Sequence, residues 1–399
     1  MAMENNFYDL IIVGAGPAGL QLARELVNSK YKILILDRKK SAGDVQYNTA
    51  GSFINPKQWQ LPEEVLHPIH KMMLFSKNER VEKQGLGYVI NRRKLLNFLE
   101  RECRKNPNLE IEYSAEVRDA KTENSEIKEI YYFKRGRKIT ARARIYADCS
   151  GTSAVLGNML GLAQEKPLLA LGIEYVVPLK EGADEIDLFI QSSLKGGYGW
   201  IFPLNNSRAI VGYGTLEIER FPIVEKAIKS MWSIPRVAER CKRKPYEKNI
   251  GLLRTGAPLE RLAKNNLIII GDTALQANPL VGEGIRFAMD SARMAAKWVR
   301  KALEKNRPKL LQNYTRDWKR KYYRKYWLAF EIQNRLRETT SDDNFMDRAV
   351  KGMEMLSNHE FCRLLSGDVT HFFMFRLRIK RALKKKINRL KKFIGLTSG

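Results

Sequence analysis

The chain has 399 residues, enough for about two or three domains around a sizeable core, and its composition is globular rather than disordered. A net charge of +27 points to anionic partners, and the excess is concentrated late: from Lys301 onward 25 Lys and Arg oppose 10 Asp and Glu. No apolar run is long enough for a bilayer span, the start lacks a signal-peptide pattern, and the four scattered cysteines and four histidines argue against disulfides or a metal site, so a cytoplasmic protein with reduced thiols is expected.

The first element is a strand, Tyr8 to Val13, that delivers Gly14-Ala15-Gly16-Pro17-Ala18-Gly19. A helix follows over Leu20 to Val27, then a second strand from Lys32 to Leu36 that ends on Asp37. Strand, glycine turn, helix, strand and acid together form a dinucleotide-binding fingerprint. Gly14 permits the tight turn, Gly16 lets backbone approach a pyrophosphate, and Gly19 lets helix and strand pack closely. Free N–H groups at the helix start face the phosphates. Asp37 is placed to accept ribose hydroxyls, and Ala18 and Arg38 join the expected cofactor contacts.

After a polar loop, Gly43 to Phe53, the segment Gly87 to Arg93 leads into a helix over Lys94 to Lys105. Glu110 to Tyr113 and Ile127 to Phe133 read as strands, with Arg135-Gly136-Arg137 as a turn. Ala143 to Asp148 is another strand, ending in Cys149-Ser150-Gly151. A second sheet is expected from Leu171 to Val177, Ile186 to Gln191, Trp200 to Pro203 and Ala209 to Gly214. Helical patterning spans Val224 to Lys242. A short buried strand, Leu267 to Ile270, then delivers a second glycine-acid site, Gly271-Asp272, followed by Pro279, Gly282, Gly284 and a long helix from Ile285. The positive end of that helix suits an electron-rich ring edge.

These two glycine-lined sites together resemble the flavoproteins related to aromatic hydroxylases. Within that group, Gly196-Gly197-Tyr198-Gly199-Trp200-Ile201-Phe202-Pro203 and the Asn278 to Ile285 loop are similar to the geranylgeranyl reductase family. The resemblance covers about Tyr8 to Leu303. It implies bound FAD, with Asp272 at the ribityl chain, Arg92 as a cofactor-contacting arginine and the backbone of Val117 at the adenine. Asp148 corresponds to an altered central motif. Family members carry a Cys-Gly-Gly loop near the flavin where this chain has Asn48-Thr49-Ala50-Gly51, so Thr49 joins Tyr198 and Trp200 as a catalytic candidate. The implied activity is FAD-dependent reduction of isoprenoid double bonds in a membrane prenyl lipid or prenyl diphosphate, with electrons from ferredoxin or NAD(P)H. A flavoprotein monooxygenase, a carotenoid-cyclase-like enzyme and a flavin-binding protein without turnover are the alternatives.

The expected fold class is α/β. A Rossmann-like FAD-binding domain is discontinuous over 1–45, 85–165 and 250–305, and a mixed β-sheet substrate domain occupies 46–84 and 166–249. A basic helical region follows over 306–399. Within it, Phe375, Ile379, Leu383, Ile387, Leu390 and Ile394 recur at steps of three and four, with Arg378, Arg381, Lys385, Arg389 and Lys392 on the other faces. Such a tail, 372–396, suits an anionic membrane surface on the cytoplasmic side. Self-packing is the bland alternative, and nucleic acid ranks last because no binding module for it is present.

Overall fold

The computed structural model describes residues 7–45, 49–218 and 221–393; of these, the side chains of 49, 221–224, 381 and 384–393 lie outside the described set. The chain begins β1 (Phe7–Val13), α1 (Pro17–Glu25), β2 (Ile33–Asp37), β3 (Thr49–Ser52), α2 (Pro56–Trp59), β4 (Leu66–Phe75), β5 (Arg80–Asn91) and α3 (Arg92–Cys103). It continues with β6 (Leu109–Tyr113), β7 (Ala115–Glu123), β8 (Glu126–Lys134), β9 (Arg137–Asp148), α4 (Val155–Met159), β10 (Leu168–Pro178), β11 (Glu185–Phe189), β12 (Gly197–Asn205) and β13 (Arg208–Thr215). Then come α5 (Phe221–Met231), α6 (Pro235–Arg240), β14 (Glu247–Thr255), β15 (Ala263–Lys264), β16 (Leu267–Ile269) and α7 (Ile285–Glu304). The last quarter is helical: α8 (Gln312–Trp318), α9 (Arg324–Thr339), α10 (Asp343–Met353), α11 (Asn358–Leu365) and α12 (His371–Phe393).

Because Leu10 to Val13 of β1 and Ile33 to Leu36 of β2 are unbroken apolar runs, they are buried on both faces, as parallel strands under helices require. β1 pairs in parallel with β2 and β9, β16 joins β9, and β6 joins β2, giving the order β15-β16-β9-β1-β2-β6. α1 packs between this sheet, α3 and α7. The second sheet has the order β14-β10-β13-β12-β11-β4-β5-β3. One of its faces buries Ile173, Ile201, Val211 and Tyr213 against Ala227, Ile228 and Val237 of α5 and α6. The other face carries Val176, Trp200 and Ile210, and further along Ile69, Met72 and Leu74 meet α10 and α11.

The α/β class is as expected, with departures that have physical causes. The helix expected over Val224 to Lys242 is two, because Pro235 cannot continue α5 and instead starts α6. The β4–β5 hairpin and β14 are strands that periodicity alone does not reveal: β5 carries Gly85 and Gly87 in its middle, and β14 is an edge strand with alternate residues exposed. β5 belongs to the second sheet as far as Asn91, and β14 as far as Thr255. Within the described residues no helix is long and apolar enough to cross a membrane.

The C-terminal helices are built into the body. Tyr322 and Tyr326 meet Phe287 of α7 edge-on, and Trp318 packs on both tyrosines, around a π-helical turn at Lys319–Tyr323. On α12, Phe373 is buried and Met374 and Leu377 pack on Leu328 and Ile332 of α9. The predicted stripe is a different face: Phe375, Ile379 and Leu383 are exposed, as is Phe372. Of the remaining stripe residues, the side chains of Ile387 and Leu390 and the whole of Ile394 lie outside the described set.

Candidate active site

A cavity of about 1300 Å³ starts at the Gly14 turn, passes the Asp272 loop and continues across the second sheet to the C-terminal helices. The Gly14 turn follows directly from β1. Gly14 has φ +107°, and a Cβ there would strike the Cys149 carbonyl. A Cβ on Gly19 would strike the Gly14 carbonyl, so Gly19 is a packing residue that does not line the cavity. A Cβ on Gly16 would meet nothing within 4 Å. Nothing in the chain itself requires glycine there, and the open space belongs to the cavity, as the approach of a pyrophosphate demands.

Asp37 is buried at the end of β2 and also lines the cavity. Its Oδ2 accepts from Ala15 N–H at 2.6 Å and its Oδ1 from Lys39 N–H at 2.8 Å. It therefore holds the glycine turn in shape while keeping lone pairs for a ligand. Ala18, Arg38, Arg92 and Val117 line the same slot from α1, the β2 end, α3 and β7.

Opposite them lies the second glycine site. β16 leads through Ile270 into Gly271, whose φ of +75° turns the chain so that Asp272 faces the slot. Burial pushes the Asp272 carboxyl up to about 6, against the attraction of Arg92 and Arg254. Among the described residues no donor is hydrogen-bonded to that carboxylate, so it suits the hydroxyls of a ribityl chain. Pro279, Gly282, Gly284 and Ile285 complete the loop and line the cavity, with Gly282 at φ +71°. The two sites expected to close around one cofactor therefore face each other.

Other expectations change. Asp148 is fully buried and accepts from Gly157 N–H at 2.7 Å and from Ser150 Oγ at 2.6 Å, so it shapes its own turn and does not line the slot. Arg254 is buried and donates to the carbonyls of Thr152 and Gln164, tying β14 to the Gly151 turn. Arg286 pairs with Glu283 at 2.7 Å and donates to the Ser366 carbonyl, and Glu283 also accepts from Ser52 Oγ. Glu283 is thus a buried, ion-paired cavity residue. Thr49 starts β3, where its backbone pairs with Asn91, but its side chain lies outside the described set.

Tyr198 and Trp200 sit on β12, on the face turned to the cavity. Tyr198 Oη donates to the Val281 carbonyl at 2.8 Å, and burial pushes its hydroxyl up to about 12. Trp200 lies over Gly212 and Gly214 of β13 and stacks on Phe202 at 5.8 Å.

Residues 9–365 match the family described as lycopene cyclase protein. A digeranylgeranylglycerophospholipid reductase of Haloferax volcanii is 30% identical over 321 residues, 74% of this chain and 76% of that protein. The chain belongs to this family, in its geranylgeranyl reductase branch. Digeranylgeranylglycerophospholipid reductase 2 of Methanopyrus kandleri is 26% identical over 383 residues, 90% of this chain and 93% of that protein. The solved geranylgeranyl bacteriochlorophyll reductase-like protein of Thermoplasma acidophilum shares the fold, with TM-score 0.79 at 18% identity, covering 93% of this chain and 95% of that one. A flavin-dependent brominase follows the same fold at TM-score 0.70 and 15% identity.

The protein is an oxidoreductase of this family. The family match extends through α11, beyond the Leu303 limit of the motif resemblance. Residues of α9 to α11 line the cavity, and α9 holds the loop that precedes α7. Gln333 donates to the Pro279 carbonyl, Tyr326 to the Gln276 carbonyl at 2.7 Å, and Asn278 to the Gly367 carbonyl at 3.3 Å. Motif reading missed these residues, along with Ser52. Only the aromatic density of 314–330 hinted at them.

Proposed function

We propose that the protein is an FAD-dependent reductase that saturates isoprenoid double bonds of a membrane prenyl lipid or prenyl diphosphate. The observation that carries this reading is the unbroken cavity that joins the two facing glycine sites to an apolar sheet face. Gly14, Gly16, Ala18, Asp37, Arg38 and Val117 hold the adenosine and pyrophosphate end. Arg92 and Asp272 hold the ribityl chain, and Pro279, Gly282, Gly284 and Ile285 border the ring, while Gly19 and Gly271 allow the close packing. When bound and reduced, the flavin supplies hydride. An isolated alkene is poorly electrophilic, so the chain must keep the site dry and closely fitted. Tyr198, Trp200 and Phe202 form that wall, and Tyr198 keeps its proton on the Val281 carbonyl at neutral pH. Ala50 and Gly51, which follow Thr49 on β3, line the same space. Electrons come from an external donor, ferredoxin or NAD(P)H.

α12 supports a peripheral place on the cytoplasmic membrane face. Phe372 is 71% exposed and Phe375 58%, with Ile379 and Leu383 following on the same side while Phe373 and Leu377 turn inward. Arg376, Arg378 and Lys380 stand among them, and each basic residue near an anionic surface contributes about 1 kcal/mol.

The test is anaerobic incubation of dithionite-reduced holoprotein with a panel of geranylgeranyl lipids, read by mass. A gain of two hydrogens per bond is expected. An isomeric product, or turnover only with oxygen, would overturn the reductase reading.

A further inference from the structure

The turn that carries Asp272 is closed by one side chain. Gln276, at the far end of that turn, is fully buried. Its Oε1 accepts from Gly271 N–H at 2.7 Å, and its own backbone N–H donates to the Gly271 carbonyl at 3.1 Å. Gly271 is therefore clamped by both of its backbone polar groups, and Asp272 lies inside the closed turn. The same turn contains Leu275 at φ +53°, a left-handed conformation that a leucine keeps only when its surroundings enforce it.

The outer side of the clamp hangs on the C-terminal helices. Gln276 Nε2 donates to Tyr314 Oη of α8 at 2.8 Å, and Tyr326 Oη of α9 donates to the Gln276 carbonyl at 2.7 Å. Ser291 of α7 joins Tyr314 and accepts from Trp318 Nε1 at 3.1 Å, so α7, α8 and α9 converge on this one residue. Both tyrosines are buried, and burial holds the Tyr326 hydroxyl well above its ordinary range, so it remains a donor at neutral pH. On the other side of the turn, Thr273 Oγ1 donates to the Gly151 carbonyl at 3.2 Å. That fastening leads back to the first sheet.

We infer that Gln276 is a positioning residue for the flavin: it clamps the Gly271–Asp272 turn and hangs it from the hydroxyls of Tyr314 and Tyr326, so that the C-terminal helices fix where the Asp272 carboxylate meets the cofactor. This rests on the flavin reading above and adds the residues that hold the acid in place. Apart from the attraction of Arg92 and Arg254, the direction of the Asp272 side chain is set by its backbone. A group that must accept ligand hydroxyls has to stand within about 0.5 Å of its proper place, and a supporting layer of locked hydrogen bonds supplies that precision. Leucine at position 276 keeps most of the volume and drops both side-chain bonds, leaving the Gly271 N–H unpaired in a dry interior.

A double-mutant cycle separates positioning from a general loss of structure. The readout is the rate at which FAD leaves the loaded full-length protein, followed by flavin fluorescence after dilution, which needs no turnover. Gln276→Leu should release flavin about tenfold faster than wild type, whereas in an Asp272→Ala background the same change should add no more than about twofold, because the acid it positions is gone. Tyr326→Phe removes one donor and almost no volume. It should follow the same pattern at about threefold, and it carries the test if Gln276→Leu does not fold. Release at the wild-type rate in both variants overturns the inference, since the clamp is then not felt at the cofactor. Equal acceleration in both backgrounds also overturns it, since the clamp then acts on the fold at large and not through Asp272. A wild type that retains no flavin overturns the cofactor reading as well. If the cycle behaves as stated while no prenyl bond is saturated in the mass assay, the reductase reading fails and the positioning role stands.

Discussion

The hydroxyl of Tyr198 donates to the carbonyl oxygen of Val281 at 2.8 Å, so the middle strand of the second sheet is fastened to the loop that leads into α7. The loop carries Gly282 and Gly284, the strand carries the apolar wall, and in the proposed function the bond would set the spacing between cofactor and substrate. Tyr198→Phe removes the donor and leaves the rings of Trp200 and Phe202 in place. We expect a loss of about 1 kcal/mol in stability and faster flavin release, read by thermal melting and by flavin fluorescence after dilution. An unchanged release rate would show that the loop is held without this bond.

Asp272 gives a prediction with two opposite signs. Its pKa of about 6 in the fold lies above the usual 3.8, because burial disfavours the charge. The folded chain therefore binds this proton more tightly than the unfolded chain, and the associated stability is present at low pH and lost as pH rises through about 6. Asp272→Asn removes that loss. Flavin-free variant should exceed flavin-free wild type by up to about 3 kcal/mol at pH 7, with the gap closing toward pH 4. Flavin retention should fall in the same variant, since the amide is a poorer acceptor for hydroxyls. Urea unfolding across pH and flavin occupancy measure the two effects. A variant that is less stable at pH 7 in the absence of flavin would contradict the argument.

Glu283 and Arg286 form a partly enclosed pair on the cavity wall, at 2.7 Å, with Ser52 and the Ser366 carbonyl as further partners. Arg286→Leu strands a carboxylate in apolar surroundings and should cost about 3 to 5 kcal/mol. Adding Glu283→Gln should restore most of that loss, because the uncompensated charge disappears. Equal destabilisation in the single and double variants would mean that Arg286 acts by packing alone.

The two faces of α12 should respond differently. Glutamate at Phe375, Ile379 and Leu383 should abolish sedimentation with anionic vesicles and leave the melting temperature unchanged, since these side chains are exposed. Glutamate at Phe373, which is buried against α9 and α11, should lower the melting temperature instead. Binding of the wild type should weaken with salt. Vesicle binding that survives the triple change would place membrane contact elsewhere.

Much of the fold was legible because its signals are local. β1, the Gly14 turn and β2 form a contiguous motif in which each residue type answers a backbone requirement a few positions away. The Gly271-Asp272 loop is equally local. Less could be read where a residue's partner lies far along the chain. Asp148, at the altered central motif, is engaged by backbone and side-chain groups of its own turn, and Arg254 by the carbonyls of Thr152 and Gln164. Nothing near Glu283 in the sequence reveals its partner Ser52, 231 positions away, or the C-terminal connection before α12 that Arg286 reaches.

The tail shows the same division. The spacing of apolar residues from Phe375 onward specified a helix with one apolar stripe, and charge specified what kind of surface such a helix would meet. Spacing alone does not say which side of a helix is taken by the body of the protein. Phe373 and Leu377, between the stripe positions, were drawn inward by Leu328, Ile332 and Leu364.

Taken by itself, the sequence determined the two glycine turns, the parallel strands that deliver them and hence the flavoprotein character, since φ sign and burial on both faces are written in single residues and short runs. The tertiary structure decided that the turns face each other and that residues of α9 to α11 line the cavity. Those facts depend on strand register and on contacts across hundreds of residues, which no local pattern encodes.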